Sequence, residues 1–224
     1  MKIKKCRSCL SKKLERAFSL GKQSLTGLFP KSKNDTITKG YLSLVICKNC
    51  FLLQLEHSFN TIEMYGENYG YMSSLNRSMF DHLKNKVIKL KKKINLVSND
   101  IIIDIGSNDG TFLGFFEKKF KLIGVDPTIK KFNKFYKNNI IKIADFFSYK
   151  ILTKSLKDKK AKLITSISMF YDLPNPIKFV EDIYDCLDDN GLWHLEQSYM
   201  PAMIRNFSYD TICHEHVEYY SLKS

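Results

Sequence analysis

The chain has 224 residues, 44% hydrophobic and 13% aromatic, enough to bury one good core or one core beside a small stapled module. No apolar run approaches the ~18 residues of a membrane span and no apolar stretch follows Met1–Cys6, which excludes a membrane protein and points to the cytoplasm. The formal charge of +13 is uneven: residues 1–99 hold 19 Lys and Arg against 6 Asp and Glu, whereas residues 100–224 hold 17 of each. Nucleic acid is not favoured by this excess, because 32 of the 36 basic residues are Lys and phosphate or base readers rely on the forked Arg. An anionic nucleotide-linked substrate would still be attracted.

The first zone, residues 1–55, contains Cys6-x-x-Cys9 and Cys47-x-x-Cys50. Two thiolates from each turn make a closed tetrahedral set, so Cys6, Cys9, Cys47 and Cys50 are the expected ligands of a structural Zn2+. In a reducing compartment paired cysteines suggest metal before disulfide. The 37 residues between the pairs exceed the short spacing of zinc ribbons and must be structured or folded back. Leu10 and Phe51 follow the pairs where Gly is common.

Residues 56–98 form a connecting zone. Tyr65-Gly-Glu-Asn-Tyr-Gly-Tyr-Met-Ser-Ser74 reads as a segment that wraps a ligand and then caps a helix, and Lys84 to Lys93 as the solvated face of that helix.

From residue 99 onward the chain alternates strand and helix: strands at 101–105, 121–125, 140–144, 162–167 and 191–196, helices at 110–119, 128–137 and 176–187. Short apolar strands separated by helices predict an α/β, Rossmann-like parallel sheet. Asn190-Gly191 reads as a helix stop. The first crossover, Ile101-Ile-Ile-Asp-Ile-Gly-Ser-Asn-Asp-Gly110, is a strand running into a glycine turn. Asp126 stands 20 residues after Gly106, at the end of the next strand, where a carboxylate can hold both ribose hydroxyls. The Gly-x-x-x-Gly spacing and the acidic Asp104 and Asp109 suit a cofactor with an amino-acid and sulfonium end, S-adenosylmethionine, better than a pyrophosphate.

Ser168-Met-Phe-Tyr-Asp-Leu-Pro-Asn-Pro176 and Glu196-Gln-Ser-Tyr199 follow strand ends, the rim where doubly wound sheets bind ligands. Tyr171 or Asp172 is placed there to meet substrate. Tyr209-Asp-Thr-Ile-Cys-His-Glu-His-Val-Glu-Tyr-Tyr-Ser-Leu222 concentrates ionisable and aromatic groups. His214 and His216 lack a metalloprotease spacing, and a His tuned by a neighbouring Glu suits general-base work.

Taken together, CxxC…CxxC, the Tyr-rich segment, IDIGSNDGTFL, GVDPT, SMFYDLPNP, EQSY and YDTICHEHVEYYSL resemble the sugar C-methyltransferases of deoxysugar biosynthesis. These are class I S-adenosylmethionine enzymes with an N-terminal zinc-binding domain. The resemblance implies a zinc-binding module at 1–55, a connecting segment at 56–98 and a methyltransferase domain at 99–224 whose sheet is incomplete, since family members continue further. It implies a nucleotide-linked keto-deoxysugar as substrate and an enolate made by a base. His216 is the implied base, with Glu215 and His214 orienting it or holding the sugar; Tyr69 and Tyr71 lie near the substrate with Tyr171 and Asp172. The cofactor set carries over as Asp104, Gly106, Asn108, Gly110, Asp126 and Asp145. Cys213 and Asp172 stand where some members carry Tyr and His, which is compatible with a different subgroup and sugar position. The same fold would also serve an O- or N-methyltransferase, or a non-catalytic zinc-ribbon protein that binds nucleic acid.

Overall fold

The computed structural model describes residues 1–28, 30, 32–66 and 69–224. In chain order its strands and helices are β1 (Leu14–Ser24), β2 (Lys39–Cys47), β3 (Leu53–Leu55), α1 (Thr61–Tyr65), α2 (Arg77–Lys93), β4 (Ile101–Ile105), β5 (Lys121–Val125), α3 (Ile129–Phe132), β6 (Ile140–Ile143), α4 (Tyr149–Leu156), β7 (Ala161–Ile167), α5 (Pro176–Cys186), β8 (Leu187–Glu196), α6 (Met200–Arg205) and β9 (Glu218–Tyr219). No helix among the described residues is long and apolar enough to cross a membrane. The chain divides into two compact units.

One unit comprises Tyr71–Ile167 and Phe179–Leu195. Its five-stranded sheet has the order β6-β5-β4-β7-β8, with β4 parallel to both β5 and β7 and β5 parallel to β6. Every residue of β4 is buried, which is why Ile-Ile-Ile-Asp-Ile shows no polar alternation. Leu83, Val87 and Leu90 of α2 join Ile102, Leu122, Ile140 and Leu163 in one apolar cluster. Their spacing along α2 leaves Lys91, Lys92 and Lys93 at its C-terminal end, where cations complement the helix dipole.

Three expected elements are corrected. The helix at 110–119 is a single tight turn, Leu113–Phe115, and Phe116 is already extended. Gly114 weakens a longer helix, and the Phe112, Phe116 and Phe120 rings pack edge to face at 5.5 and 6.2 Å. The helix at 128–137 is one α-turn, α3, followed by a tighter turn at Asn133–Phe135. Asn190-Gly191 stops no helix: α5 ends at Cys186 and Gly191 lies inside β8, where a Cβ would stand 2.9 Å from the Ala161 carbonyl oxygen. The Tyr-rich segment also leaves the capping of α2 to Asn76, whose side chain accepts from the Ser78 N–H.

The other unit is built from Met1–Gly70, Ser168–Lys178 and Glu196–Ser224. Its sheet has the order β1-β2-β3-β9, all antiparallel. The residues between the cysteine pairs do fold back: Leu14 pairs with Cys47 and Ser24 with Lys39. Its core is Leu42, Leu44, Leu55, Val217 and Tyr219, so residues from opposite ends of the chain share one apolar cluster.

Candidate functional site

The four cysteine sulfurs lie within 4.8 Å of one another, with Cys6–Cys50 and Cys9–Cys47 each 3.6 Å apart. Tetrahedral zinc with Zn–S near 2.3 Å needs sulfurs ~3.8 Å apart, so the set has the size and chemistry of a structural zinc site. Each CxxC closes by the same device: the Leu10 N–H donates to the Cys6 carbonyl and the Phe51 N–H to the Cys47 carbonyl. Leu10 and Phe51 stand at φ of 60° and 63°, the left-handed conformation that Gly usually supplies. The knuckles therefore keep their geometry without glycine. Asn49 and Gln54 amides donate to Cys9 and Cys6 sulfurs.

In the sheet unit, β4 and β5 present the loop 106–110. Gly106 and Gly110 take φ of 73° and 77°. A Cβ on Gly110 would stand 2.7 Å from the Tyr136 ring. The Tyr136 hydroxyl accepts from Ser107 Oγ at 2.7 Å and donates to the Asn108 carbonyl at 2.9 Å, so it props the loop from below. Tyr136 carries no sequence signal for this role.

Asp126 Oδ2 accepts the Asn108 N–H at 2.9 Å, and its Oδ1 accepts the Thr128 N–H and hydroxyl at 2.7 and 2.5 Å. It is 8% exposed. Asp126 thus fixes the loop, and lone pairs on both oxygens limit what else it can accept. Asn108 and Asp109 turn outward to a strap: Asn108 Oδ1 accepts from the Ser73 N–H, Asp109 Oδ2 from the Ser74 N–H, and Asn108 Nδ2 donates to the Tyr71 carbonyl. The Tyr71 side chain is exposed. Asp104 lies mid-sheet, opposite Gly124 and Thr165, and accepts from Thr165 Oγ1 at 2.6 Å. Burial, reinforced by the nearby Asp126 and Asp109, pushes its pKa up to about 7. Asp145 is exposed after β6, accepting from the Phe146 N–H.

The other unit gathers a second cluster from three distant segments. His216 Nδ1–H donates to the Thr211 carbonyl at 2.8 Å, which fixes the tautomer and leaves Nε2 as the unprotonated nitrogen. The Tyr171 ring meets the imidazole edge-on at 4.6 Å. Burial holds the His216 pKa below the ordinary histidine value. Asp172 hydrogen-bonds the Tyr65 hydroxyl, and its Oδ1 is buried with no partner among the described residues. Burial, with Glu215 and Glu218 nearby, pushes its carboxyl well above the usual range. Tyr65 also donates to the Glu215 carbonyl at 3.3 Å and packs on Tyr69, ring centroids 5.5 Å apart. Glu67 and Asn68 of the Tyr-rich segment lie outside the described residues.

His214 and Glu215 face other partners. His214 is fully buried with Nε2 3.3 Å from the Gly40 carbonyl, its backbone N–H donating to Thr26 Oγ1 and Phe59 edge-on to its ring. The Thr26 hydroxyl in turn donates to Glu215 Oε2. Neither side chain touches the His216 imidazole through a hydrogen bond. Thr26 and Thr211 are the partners sequence reasoning gave no role; a hydroxyl or backbone carbonyl has no spacing to announce it.

A family model described as "Putative zinc binding domain" matches residues 6–65, and one described as "Methyltransferase domain" matches residues 75–224. Over 99% of its length the chain is 26% identical to the C-methyltransferase NovU of Streptomyces niveus, of which it covers 54%. It is 28% identical over 55% of its length to the tRNA U34 carboxymethyltransferase of Campylobacter jejuni, covering 45% of that protein. The chain spans about half the length of the curated relatives it matches. Among solved structures, a chain in the complex between the Haloferax volcanii Trm112 methyltransferase activator and a methyltransferase matches at TM-score 0.52 and 14% identity, over 66% of this chain and 67% of that one. That likeness shows the fold. With a family model covering well over half of its residues, the chain belongs to the methyltransferase-domain family, behind an N-terminal four-cysteine zinc-binding module.

Proposed function

We propose that the chain is the zinc-bearing and cofactor-binding part of an S-adenosylmethionine-dependent C-methyltransferase, methylating the carbon next to the ketone of a nucleotide-linked keto-deoxysugar. The single observation that carries the C-methyl reading is the pair His216 and Asp172, whose environments push their proton affinities in opposite directions. A neutral imidazole with a bare Nε2 takes a proton; a neutral carboxyl beside a tyrosine hydroxyl gives a hydrogen bond to an oxygen that gains charge. Carbon acids need both. The likeness to NovU, a C-methyltransferase, supports this reading.

In this reading His216 Nε2 removes the proton on the carbon beside the ketone; the C–H pair becomes the carbon–carbon double bond of the enolate, and the carbonyl π pair moves onto the oxygen. Asp172, hydrogen-bonded to Tyr65, offers a donor to that oxygen, and Tyr69 and Tyr171 supply faces for the sugar. S-adenosylmethionine, when bound, supplies a methyl group on an electron-poor sulfur. Asp104, Gly106, Asn108, Gly110 and Asp126 shape the loop that would hold it, with Asp145 near the adenine. His214 and Glu215 serve by fixing the loop that carries His216. Zinc at Cys6, Cys9, Cys47 and Cys50 is structural, because four thiolates leave no open position.

Proton exchange tests the chemistry apart from transfer. The protein, a nucleotide-linked keto-deoxysugar and S-adenosylhomocysteine are incubated in D2O, and deuterium uptake beside the ketone is followed by NMR. His216→Asn should abolish uptake and methylation together. Methylation without uptake, unaffected by His216→Asn, would assign the enzyme to O- or N-transfer.

A further inference from the structure

The hairpin of β1 and β2 is longer than a four-cysteine module requires, since 37 residues separate the two pairs. At one end Leu14 pairs with Cys47; at the other Ser24 pairs with Lys39 and the Leu25 N–H donates to the Thr38 carbonyl at 2.9 Å. That far end meets the turn carrying His216, within the same unit. Thr26 Oγ1 accepts the His214 N–H at 2.9 Å and donates to Glu215 Oε2. From the opposite strand the Gly40 carbonyl lies 3.3 Å from His214 Nε2.

Two buried glycines at this end answer to space alone, because neither Gly27 nor Gly40 takes a left-handed φ. A Cβ on Gly27 would collide with Glu215 Oε1. One on Gly40 would collide with the Phe59 ring, which packs edge-on against His214 with centroids 4.8 Å apart. The hairpin is therefore moulded on His214 and Glu215. The turn needs such support on one side of His216 only. After it, the Val217 N–H donates to the Tyr171 carbonyl and the Val217 carbonyl accepts the Leu55 N–H, each at 2.9 Å. Before it, residues 213–215 bend and lie outside the ladder of β3 and β9. There the Tyr65 hydroxyl holds the Glu215 carbonyl, and Thr26 holds the His214 N–H and the Glu215 side chain.

We infer that the far end of this hairpin belongs to the catalytic apparatus, with Thr26 and Gly27 as positioning residues that place the His216 imidazole. The effect on catalysis rests on the proposed role of His216 as base; the placement is read independently of it. Thr26 lies at the surface, so water can replace its hydrogen bonds at little cost in stability. What water does not replace is one fixed oxygen tying the His214 backbone to the Glu215 carboxylate. A base displaced by about 1 Å loses up to about a hundredfold in rate.

The test reads His216 directly. In the full chain labelled with 15N-histidine, the ring nitrogens of His216, identified by their absence in His216→Asn, report its tautomer. Wild type should show the Nδ1–H form alone, held by the Thr211 carbonyl. Thr26→Val keeps the side-chain shape and loses both hydrogen bonds; Gly27→Ala keeps the hydroxyl and displaces the Glu215 carboxylate. Each should show mixed tautomers, and deuterium uptake beside the ketone should fall about ten- to hundredfold. The urea midpoint of Thr26→Val should stay close to that of wild type, and Thr26→Ser should restore the single form. Adding Glu215→Ala to Gly27→Ala removes the collision, so the double variant should match Glu215→Ala alone. A single Nδ1–H form in either Thr26→Val or Gly27→Ala overturns the placement. So does a Thr26→Ser as mixed as Thr26→Val, which would assign the effect to packing. Should Thr26→Val fail to fold, Gly27→Ala and its pairing with Glu215→Ala decide. Mixed tautomers in a protein whose uptake survives His216→Asn would uphold the placement and overturn the base instead.

Discussion

Replacing Gly110 by Ala tests whether Tyr136 and the glycine loop form one rigid element. Two effects add. An L-residue at φ of 77° costs about 1–2 kcal/mol. The new Cβ, 2.7 Å from the Tyr136 ring, also forces the ring aside. That displacement forfeits two buried hydrogen bonds, from Ser107 Oγ at 2.7 Å and to the Asn108 carbonyl at 2.9 Å, at about 1 kcal/mol each. The sum is about 3–4 kcal/mol. Tyr136→Phe removes the same two bonds without backbone strain and should cost about 2 kcal/mol. The double variant should then lose about 3–4 kcal/mol, because the bonds can be lost only once, and fall short of additivity by about 2 kcal/mol. Urea denaturation followed by fluorescence of Trp193, the single tryptophan and a member of the same unit, measures each value. Strict additivity would refute the link between loop and ring. A Gly110→Ala loss within about 0.5 kcal/mol, as for an ordinary surface change, would refute the steric reading itself.

Metal analysis should find one zinc per chain in wild type and none in Cys47→Ser, and a wild type without zinc or a mutant with full zinc content would reject the four-cysteine site. For His216, burial places the folded pKa below the ordinary value near 6.5, so the ring is neutral at pH 7. Its contribution to stability is present above about 6.5 and is lost as pH falls through the lowered folded value. The kcat profile should accordingly hold to below pH ~6.5 and then drop, and a drop centred above 7 would contradict a buried neutral imidazole. Glu218 behaves oppositely. Burial pushes its pKa up to about 8, so its stabilisation is complete below the ordinary carboxylate range and is lost as pH rises through about 8. Glu218→Gln should flatten the decline of the urea midpoint between pH 5 and 8, and an unchanged slope would count against that burial.

The parallel strands are legible because each is an apolar run buried on both faces, and Ile101–Ile105 has no other reason to be so uniformly branched. The cysteine pairs are legible because two ligands per tight turn is a chemical requirement with a fixed spacing. Helix lengths are less so. Thr111 onward has a helical pattern, yet Gly114 and the Phe112–Phe116–Phe120 stack limit it to a single turn. Nothing local announces β9 either, since two residues carry no period, and its pairing with β3 depends on Val217 and Tyr219 reaching the core made by β2 and β3. At the candidate sites the ionisable residues could be proposed from motif and resemblance, but the groups that hold them in place could not. The Thr211 carbonyl that sets the His216 tautomer is backbone, available at every position, and Tyr136 reaches the glycine loop only through the fold.

The contrast between His214 and His216 arises because the chain bends at residues 213–215 and is not extended there. Residues two apart face the same side only while the chain is extended. Here His214 points toward Gly40 and Phe59 in the interior, whereas His216 keeps one nitrogen on a carbonyl and the other bare. One histidine is spent on anchoring so that the other can be placed. The anchoring continues through Thr26, which accepts from the His214 N–H and donates to Glu215, beside Gly27, where a Cβ would collide with Glu215 Oε1. Glu215 therefore need not lie beside the imidazole to matter. A carboxylate in direct contact with Nδ1–H would raise the basicity of His216 and keep it charged near neutrality, whereas a carbonyl orients it while leaving burial to hold it neutral. For the proposed removal of a proton from carbon, a base that begins uncharged is better served by the carbonyl.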